Sequence, residues 1–330
     1  MNQIAAWTFA KAYIKSMRLY YAFVTGIGGW LGVSFYAHIA TEFRTVEVLP
    51  TLPQKIVILM LLFLSWGINQ IVNDYLGLAE DRINAPNRPM VTGELHPEGA
   101  LVVTGLLLVG TGFCICFYLQ PIALIPFVVG IALNVLYEFA KAWGIMGNLV
   151  FGLMITMTSI FGFLASGPTQ APYFTSSRTA VLLVLWIIHG VITFYTYFKD
   201  HDGDKAAGKR TLVVKYGIEK SRKLAIALAF LPTLAFVAIY ASGFIEAQLN
   251  TTFVFLAVLS FFLQLWTGVL YYRNPVGTTT YFSLATNFRA GVCAQATFIA
   301  FFNQILALQL FLVSYIFIGF LFGLHKDSQA

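Results

Sequence analysis

Charge is scarce in this chain. Of 330 residues, 14 are Asp or Glu and 20 are Lys or Arg, 10% in all, where a soluble domain carries about a quarter. That shortage excludes an ordinary water-soluble globule. Cysteine is scarce too: Cys114 and Cys116 lie two apart in an apolar run and Cys293 stands alone, which excludes a disulfide framework or a zinc site. No low-complexity tract, long tail or separate soluble segment interrupts the chain, and a single domain over 1–330 is expected. No secretory signal stands out, because 1–17 carries Lys11 and Lys15 and the first apolar stretch is long enough to span a bilayer.

What is present in quantity is apolar. Hydrophobic residues make up 58% of the chain, with 31 Phe and 16 Tyr, and the mean hydropathy is +0.77. Runs of spanning length fall at 19–39, 55–77, 99–118, 121–137, 147–166, 180–199, 223–241, 252–271 and 304–323. The stretch 279–303 is apolar but holds Asn287 and Arg289, and reads as a broken, re-entrant or interfacial helix. Nine spans are expected, with ten as the alternative. The aromatic load exceeds what interfacial belts need, so some rings should line an interior cavity.

The net charge of +6 could suggest nucleic acid, but the cations cluster in loops, and no nucleic-acid partner is expected. If the N-terminus is cytoplasmic, that side holds Lys11, Lys15, Arg18, Arg82, Arg88, Lys141, Lys199, Lys205, Lys209, Arg210, Lys215, Lys220, Arg222, Lys223 and Arg273. The other side holds only Arg44, Lys55 and Arg178, plus Lys326 for nine spans. This asymmetry orients the chain.

Two acidic clusters then share the cytoplasmic face: Asn73-Asp74 to Glu80-Asp81, and Asp200 to Asp204, about 127 positions later. Carboxylates at the edge of a bilayer are costly and mark function. At about 100° per residue, Asn73, Gly77, Glu80, Asp81 and Asn84 share an arc with Asp74 at its edge. Asp200 and Asp204 likewise share a face with Tyr197, while Asp202 points away. A faint internal repeat places Asn73 on Asp200 and Gly77 on Asp204 and would set the clusters across a central cavity. Mg²⁺ takes hard oxygen ligands, typically one or two carboxylates plus substrate phosphates, so facing clusters suit a Mg²⁺–diphosphate site. A transporter would need its polar groups near the midplane, whereas these lie at helix ends.

The residues around these clusters resemble the UbiA superfamily of intramembrane prenyltransferases. Asn73-Asp74 through Asp81-Arg-Ile-Asn84-Ala-Pro86-Asn-Arg88-Pro89 to Gly93 is similar to its first signature. Lys199-Asp200-His-Asp-Gly203-Asp204 through Gly208 to Thr211-Leu is similar to its second. Tyr137-x-x-x-Lys141 before Gly147-Asn148 matches an intermediate element, and Lys15-Ser-Met-Arg18 sits where a basic residue enters the first span. The resemblance covers nearly the whole chain in order.

It implies an all-α membrane bundle of about nine helices around a central cavity. It also implies Mg²⁺-dependent transfer of an isoprenyl group from an isoprenyl diphosphate to a lipophilic, aromatic acceptor. On that resemblance Asn73, Asp74, Asp81, Asp200 and Asp204 hold the metal, with the four aspartates catalytic. Asn73, Lys141, Tyr137, Arg18, Arg82 and Lys199 hold the diphosphate, and Asn69, Tyr195 and Tyr197 line the prenyl and acceptor pocket. Phe63, Trp66 and Phe198 are further candidates for rings facing an allylic cation. His189 reads as a buried hydrogen-bonding residue and His201 as a weaker candidate base. The short Ile-Asn-x-Pro-x-Arg-Pro element is also similar to members acting on chlorophyllide, glycerol-phosphate lipids or quinone precursors. The alternative is a membrane terpene cyclase that ionises the diphosphate without an acceptor. Membrane lipid is the expected surrounding, a bacterial inner membrane with cytoplasmic active-site loops the expected location, and no obligate protein partner is expected.

The chain departs from the family twice. Gly77 stands where an aspartate is usual, and Tyr197 where another is common. Asp74 or Glu80 could compensate for Gly77; otherwise Gly77 makes room for an unusual substrate or weakens metal binding.

Overall fold

The structure, a computed structural model, describes residues 3–42, 49–169, 173–277 and 279–324. Arg44 and Lys326 lie outside them. Every regular element among these residues is helical. The helices are α1 (Gln3–Met17), α2 (Ala22–Glu42), α3 (Leu52–Leu76), α4 (Leu78–Asn84), α5 (Pro89–Thr92), α6 (Pro97–Tyr118) and α7 (Leu124–Ala140). They continue with α8 (Met146–Ala165), α9 (Ser176–Thr196), α10 (His201–Ala206), α11 (Leu212–Ala241), α12 (Thr251–Arg273), α13 (Thr280–Ile299) and α14 (Gln304–Leu324). Eight of them are long and apolar enough to cross a membrane, counting the short turn after α7 with that helix. The chain is an integral membrane protein with the helical bundle expected of it.

Residues 279–303 are not broken. α13 is one uninterrupted helix of 20 residues, about 30 Å at 1.5 Å per residue, packed among α2, α9, α12 and α14. Its polar groups are spent on neighbouring helices, which is why the run could afford them. Asn287 Nδ2 donates to the Ile192 carbonyl (2.9 Å), Gln295 Nε2 to Val24 (2.8 Å) and Arg289 Nε to Tyr315 (3.0 Å). Arg289 also lies over the Tyr315 ring, 4.3 Å from its centroid.

In lipid, apolar surface alone does not drive helices together, so small residues and interhelical hydrogen bonds do much of the work. α2 and α8 show both. A Cβ on Gly32 would fall 1.7 Å from the Ser159 carbonyl oxygen, and one on Gly162 would fall 2.0 Å from that of Gly29. Ser159 Oγ closes the contact by donating to the Gly28 carbonyl at 2.5 Å. Elsewhere Asn148 ties α8 to Gly190 of α9 (2.9 Å), and Asn134 ties α7 to Asn69 of α3 (3.1 Å). α11 is interrupted after its first turn at Gly217 (φ 73°), so its first residues belong to the polar loop region and the rest to the bundle.

At the polar end the same unit occurs twice, a long helix followed by a short one: α3 then α4, and α9 then α10. The two short helices pack against each other. α1 packs along α3 and α5 and ends at Arg18, whose backbone is left-handed (φ 47°, ψ 53°), the only positive φ of a non-glycine residue among those described. Such a conformation is uncommon without a reason. Here it coincides with a guanidinium bound to Asp74.

Candidate active site

A cavity of about 460 Å³ opens beneath α4 and α10, within the range of small-molecule sites. Its mouth carries Arg18, Asn73, Asp74, Glu80, Asp81, Arg88, Glu138, Lys141, Lys199, Asp200 and Asp204. Its deeper walls are apolar, formed by Leu62, Trp66, Leu107, Phe127, Ile131, Phe151, Met154, Phe161 and Phe288. Charge gathers at one end and grease at the other.

The arc expected from helical spacing is present. Asn73, Asp74, Gly77, Glu80, Asp81 and Asn84 all line the cavity, although the helix is interrupted at Gly77. Across from them Asp200 and Asp204 face in, while the Asp202 side chain is 86% exposed and pairs with His201 (2.8 Å). The two clusters are joined by Asn84. Its Nδ2 donates to the Asp200 carbonyl (3.0 Å), and its Oδ1 accepts the Gly203 N–H (2.8 Å). A Cβ on residue 203 would come within 2.3 Å of the Asn84 amide nitrogen, so only glycine permits this contact.

Each carboxylate has a distinct environment. Asp74 is buried and held through one oxygen by Arg18, Arg88 (3.6 Å) and Gln70 (3.1 Å). Asp81 is paired with Arg88; burial, with Asp74 adding, raises its carboxyl above the ordinary value despite that pairing. Burial alone would weaken Arg88 as a cation, but Asp81, Asp74 and Asp200 outweigh it and raise its pKa. Burial likewise opposes ionisation of Glu80, yet the Lys209 ammonium at 3.0 Å wins and holds its carboxyl below the usual range. Asp200 is also held low against its burial, by Lys199 at 2.7 Å and then by Arg88 and Lys141. Asp204 is the exception. Burial pushes it up to about 7, Lys141 offsets only part of this, and Asp200 and Glu138 add to the rise.

The donors suit a hard divalent ion. Asp204 Oδ2 and Asn73 Oδ1 are buried oxygens with no hydrogen-bond partner, an expensive arrangement for polar atoms with nothing to bind. Both residues line the cavity. Among the described residues no three His, Cys, Asp or Glu side chains converge on one point. An ion held here would therefore draw on amide and water oxygens, and on those of a bound substrate, as well, the usual habit of Mg²⁺.

Lys141 Nζ sits 5.4 Å from the Tyr137 ring centroid and 2.7 Å from Glu138, so Tyr137 and Lys141 are neighbours at the cavity as expected. Asn69 and Lys199 also line it. Three expected residues do not. Arg82 is exposed, because one residue beyond Asp81 is the outer face of α4. Tyr195 and Tyr197 are buried in a separate cluster with Phe194, Phe198, Val213 and Tyr271. There Tyr195 stacks on Tyr271 and donates to the Ala225 carbonyl (2.6 Å). Closeness to Asp200 in sequence misled: the Tyr195 face of α9 packs on α11, and Tyr197, beyond the end of α9, turns its hydroxyl toward Gly147. Phe63 packs edge-on against Phe23 instead of lining the cavity, and of the expected rings Trp66 does face it. His189 is buried within hydrogen-bond distance of Gln295 (3.1 Å) and takes no part. Two further site residues, Arg88 and Glu138, carry little signal in the sequence: Arg88 stands there as one loop cation and motif residue among several, and Glu138 as the spacer after Tyr137.

Residues 45–288 match the UbiA prenyltransferase family. The chain belongs to that family. This UbiA enzyme is 30% identical over 221 residues to a digeranylgeranylglyceryl phosphate synthase of Thermococcus sibiricus, covering 66% of this chain and 72% of that one. It is 25% identical to a synthase of the same name from Methanococcoides burtonii, over 84% of this chain and 96% of the other. The fold resembles that of a UbiA homologue from Archaeoglobus fulgidus solved with GPP and Mg²⁺, with TM-score 0.60 and 15% identity over 90% and 99% of the two chains.

Proposed function

We propose that this UbiA enzyme transfers an isoprenyl group from an isoprenyl diphosphate to a lipophilic acceptor inside the membrane, as a single domain over 1–330. The observation that carries the reading is the cavity itself: two acidic clusters stapled through Asn84 and Gly203 over a wall of Leu, Met and aromatic side chains. Asn73, Asp81, Asp200 and Asp204 would hold Mg²⁺, with Asp74 behind them, and the ion would supply charge neutralisation for the departing diphosphate. Lys141, with Arg18, Arg88 and Lys199 nearby, adds fixed positive charge where that leaving group gathers negative charge, the contribution that usually dominates such catalysis. Below, Trp66, Phe151 and Phe288 line the cavity, where aromatic rings would stabilise an allylic cation and exclude water from it.

The aromatic acceptor expected from the sequence draws no support from the relatives. Those named are glyceryl phosphate lipid synthases, and we read the acceptor as a glyceryl phosphate lipid. Arg18, Arg88, Lys141 and Lys199 at the cavity mouth support reading that end of the bundle as the cytoplasmic one. A bacterial inner membrane has no support from the named relatives, whose organisms are archaeal.

The test is mass spectrometry of products from membranes given prenyl diphosphates of graded length with glyceryl phosphate lipids and quinone precursors. A prenylated glyceryl phosphate lipid formed only with Mg²⁺ is expected. Exclusive prenylation of an aromatic ring would overturn the acceptor reading, and a cyclic hydrocarbon from the diphosphate alone would overturn transfer.

A further inference from the structure

Gly77 is not a requirement of the backbone. Its φ of −95° and ψ of 17° suit any residue, and it is the joint between α3 and α4. What a side chain there would meet is informative. A Cβ at residue 77 would lie 3.1 Å from the Asn73 carbonyl oxygen and 3.6 Å from Oε1 of Glu138. The space in front of Gly77 therefore already holds a carboxylate, delivered from α7.

Glu138 is 4% exposed and lines the same cavity as Asn73, Gly77 and Asp204. Its Oε1 accepts from Lys141 (2.7 Å) and from Lys209 (2.5 Å), and Lys209 also reaches the Glu138 carbonyl (2.8 Å) and Glu80 (3.0 Å). Two ammonium groups pair with this carboxylate and fix its position at a depth where an unpaired one would be prohibitive. A carboxylate on residue 77 would be thrust against it, and two like charges at contact in a low-dielectric cavity repel strongly. The two positions are alternatives.

We propose that Glu138 replaces the carboxylate absent at position 77 and serves as a Mg²⁺ donor with Asn73 and Asp204. The buried, unpartnered oxygens of Asp204 and Asn73 are its independent counterpart on the cavity wall. The inference rests on reading the cavity as a Mg²⁺–diphosphate site. It converts a depleted motif into a relocated one, with the negative charge moved from α3–α4 to α7.

The test is Mn²⁺ titration of the purified full-length protein in detergent, followed by the paramagnetic resonance of free Mn²⁺, with inorganic diphosphate present. Glu138→Gln should weaken Mn²⁺ binding about tenfold or more, the usual cost of losing a group at a metal centre. Gly77→Asp in the Glu138→Gln background should restore most of the loss, whereas Gly77→Asp alone should not tighten binding. Thermal unfolding of each variant shows that it is folded. Binding indifferent to Glu138→Gln, or a double variant as weak as the single, overturns the inference and leaves Glu138 an anchor for its lysines. Absence of saturable Mn²⁺ binding in the unsubstituted protein overturns the Mg²⁺–diphosphate reading along with it.

Discussion

Asn84 is the residue through which the two halves of the site communicate, and its contribution can be worked out from its contacts. Replacing it with alanine removes two hydrogen bonds, to the Asp200 carbonyl and from the Gly203 N–H, and leaves a buried N–H at Gly203 unpaired. At about 1 kcal/mol per net bond plus 1–3 kcal/mol for a stranded buried group, the expected loss is about 2–4 kcal/mol. Gly203→Ala should cost about 1–3 kcal/mol by overpacking, since its methyl would press on the Asn84 amide at 2.3 Å. The informative variant is the double one. With Asn84 truncated, the methyl on residue 203 enters the space the amide has left, so the second penalty should largely vanish and the cycle should show coupling of about 1–3 kcal/mol. Unfolding followed by tryptophan fluorescence in detergent reads the stabilities, and the Mg²⁺ concentration for half-maximal diphosphate release reads the site. Strict additivity of the two penalties in both assays would refute the staple.

Other expectations follow from single contacts. Asp81→Ala and Asp204→Ala should each abolish Mg²⁺-dependent diphosphate release, and near-normal turnover in both would remove the metal assignment. Arg88→Ala leaves Asp81 and Asp74 facing each other without their shared cation, a buried break expected to cost about 3–5 kcal/mol in thermal unfolding. The Asp204 carboxyl, raised to about 7 by burial, binds its proton more tightly folded than unfolded. Its contribution to stability is therefore lost as pH rises from the ordinary carboxylate range toward 7. Metal affinity should rise over the same interval, and Asp204→Asn should flatten both profiles; unchanged profiles would show that Asp204 does not titrate there. Arg82→Ala, on the outer face of α4, should change the apparent affinity for prenyl diphosphate by no more than about 0.5 kcal/mol, as for other surface changes.

The parts of this protein legible in its sequence are those set by local periodicity. Spanning runs, the polar arc from Asn73 to Asn84 and the inward face of Asp200 and Asp204 all follow from helical spacing, and the structure places them accordingly. The spacing argument worked even across Gly77, because the interruption there hardly turns the chain out of register. What spacing does not carry is which helix a given face will meet. Tyr195 is as close to Asp200 in sequence as a pocket residue need be, yet α11 claims its face of α9. Glu138 was hidden for the converse reason, since its importance comes from Gly77 and Lys209, 61 and 71 positions away. The polar residues of α13 suggested a broken helix because their partners on α2, α9 and α14 were not visible from one strand of sequence.

The central claim is that both acidic clusters hold one Mg²⁺–diphosphate. Anomalous diffraction from crystals of the protein grown with Mn²⁺ and a non-hydrolysable prenyl diphosphate addresses it directly. The account predicts manganese peaks at the cavity mouth, between Asn73 and Asp81 on one side and Asp200 and Asp204 on the other, with the diphosphate bridging them. Manganese confined to one cluster, or a diphosphate bound away from α4 and α10, would contradict it.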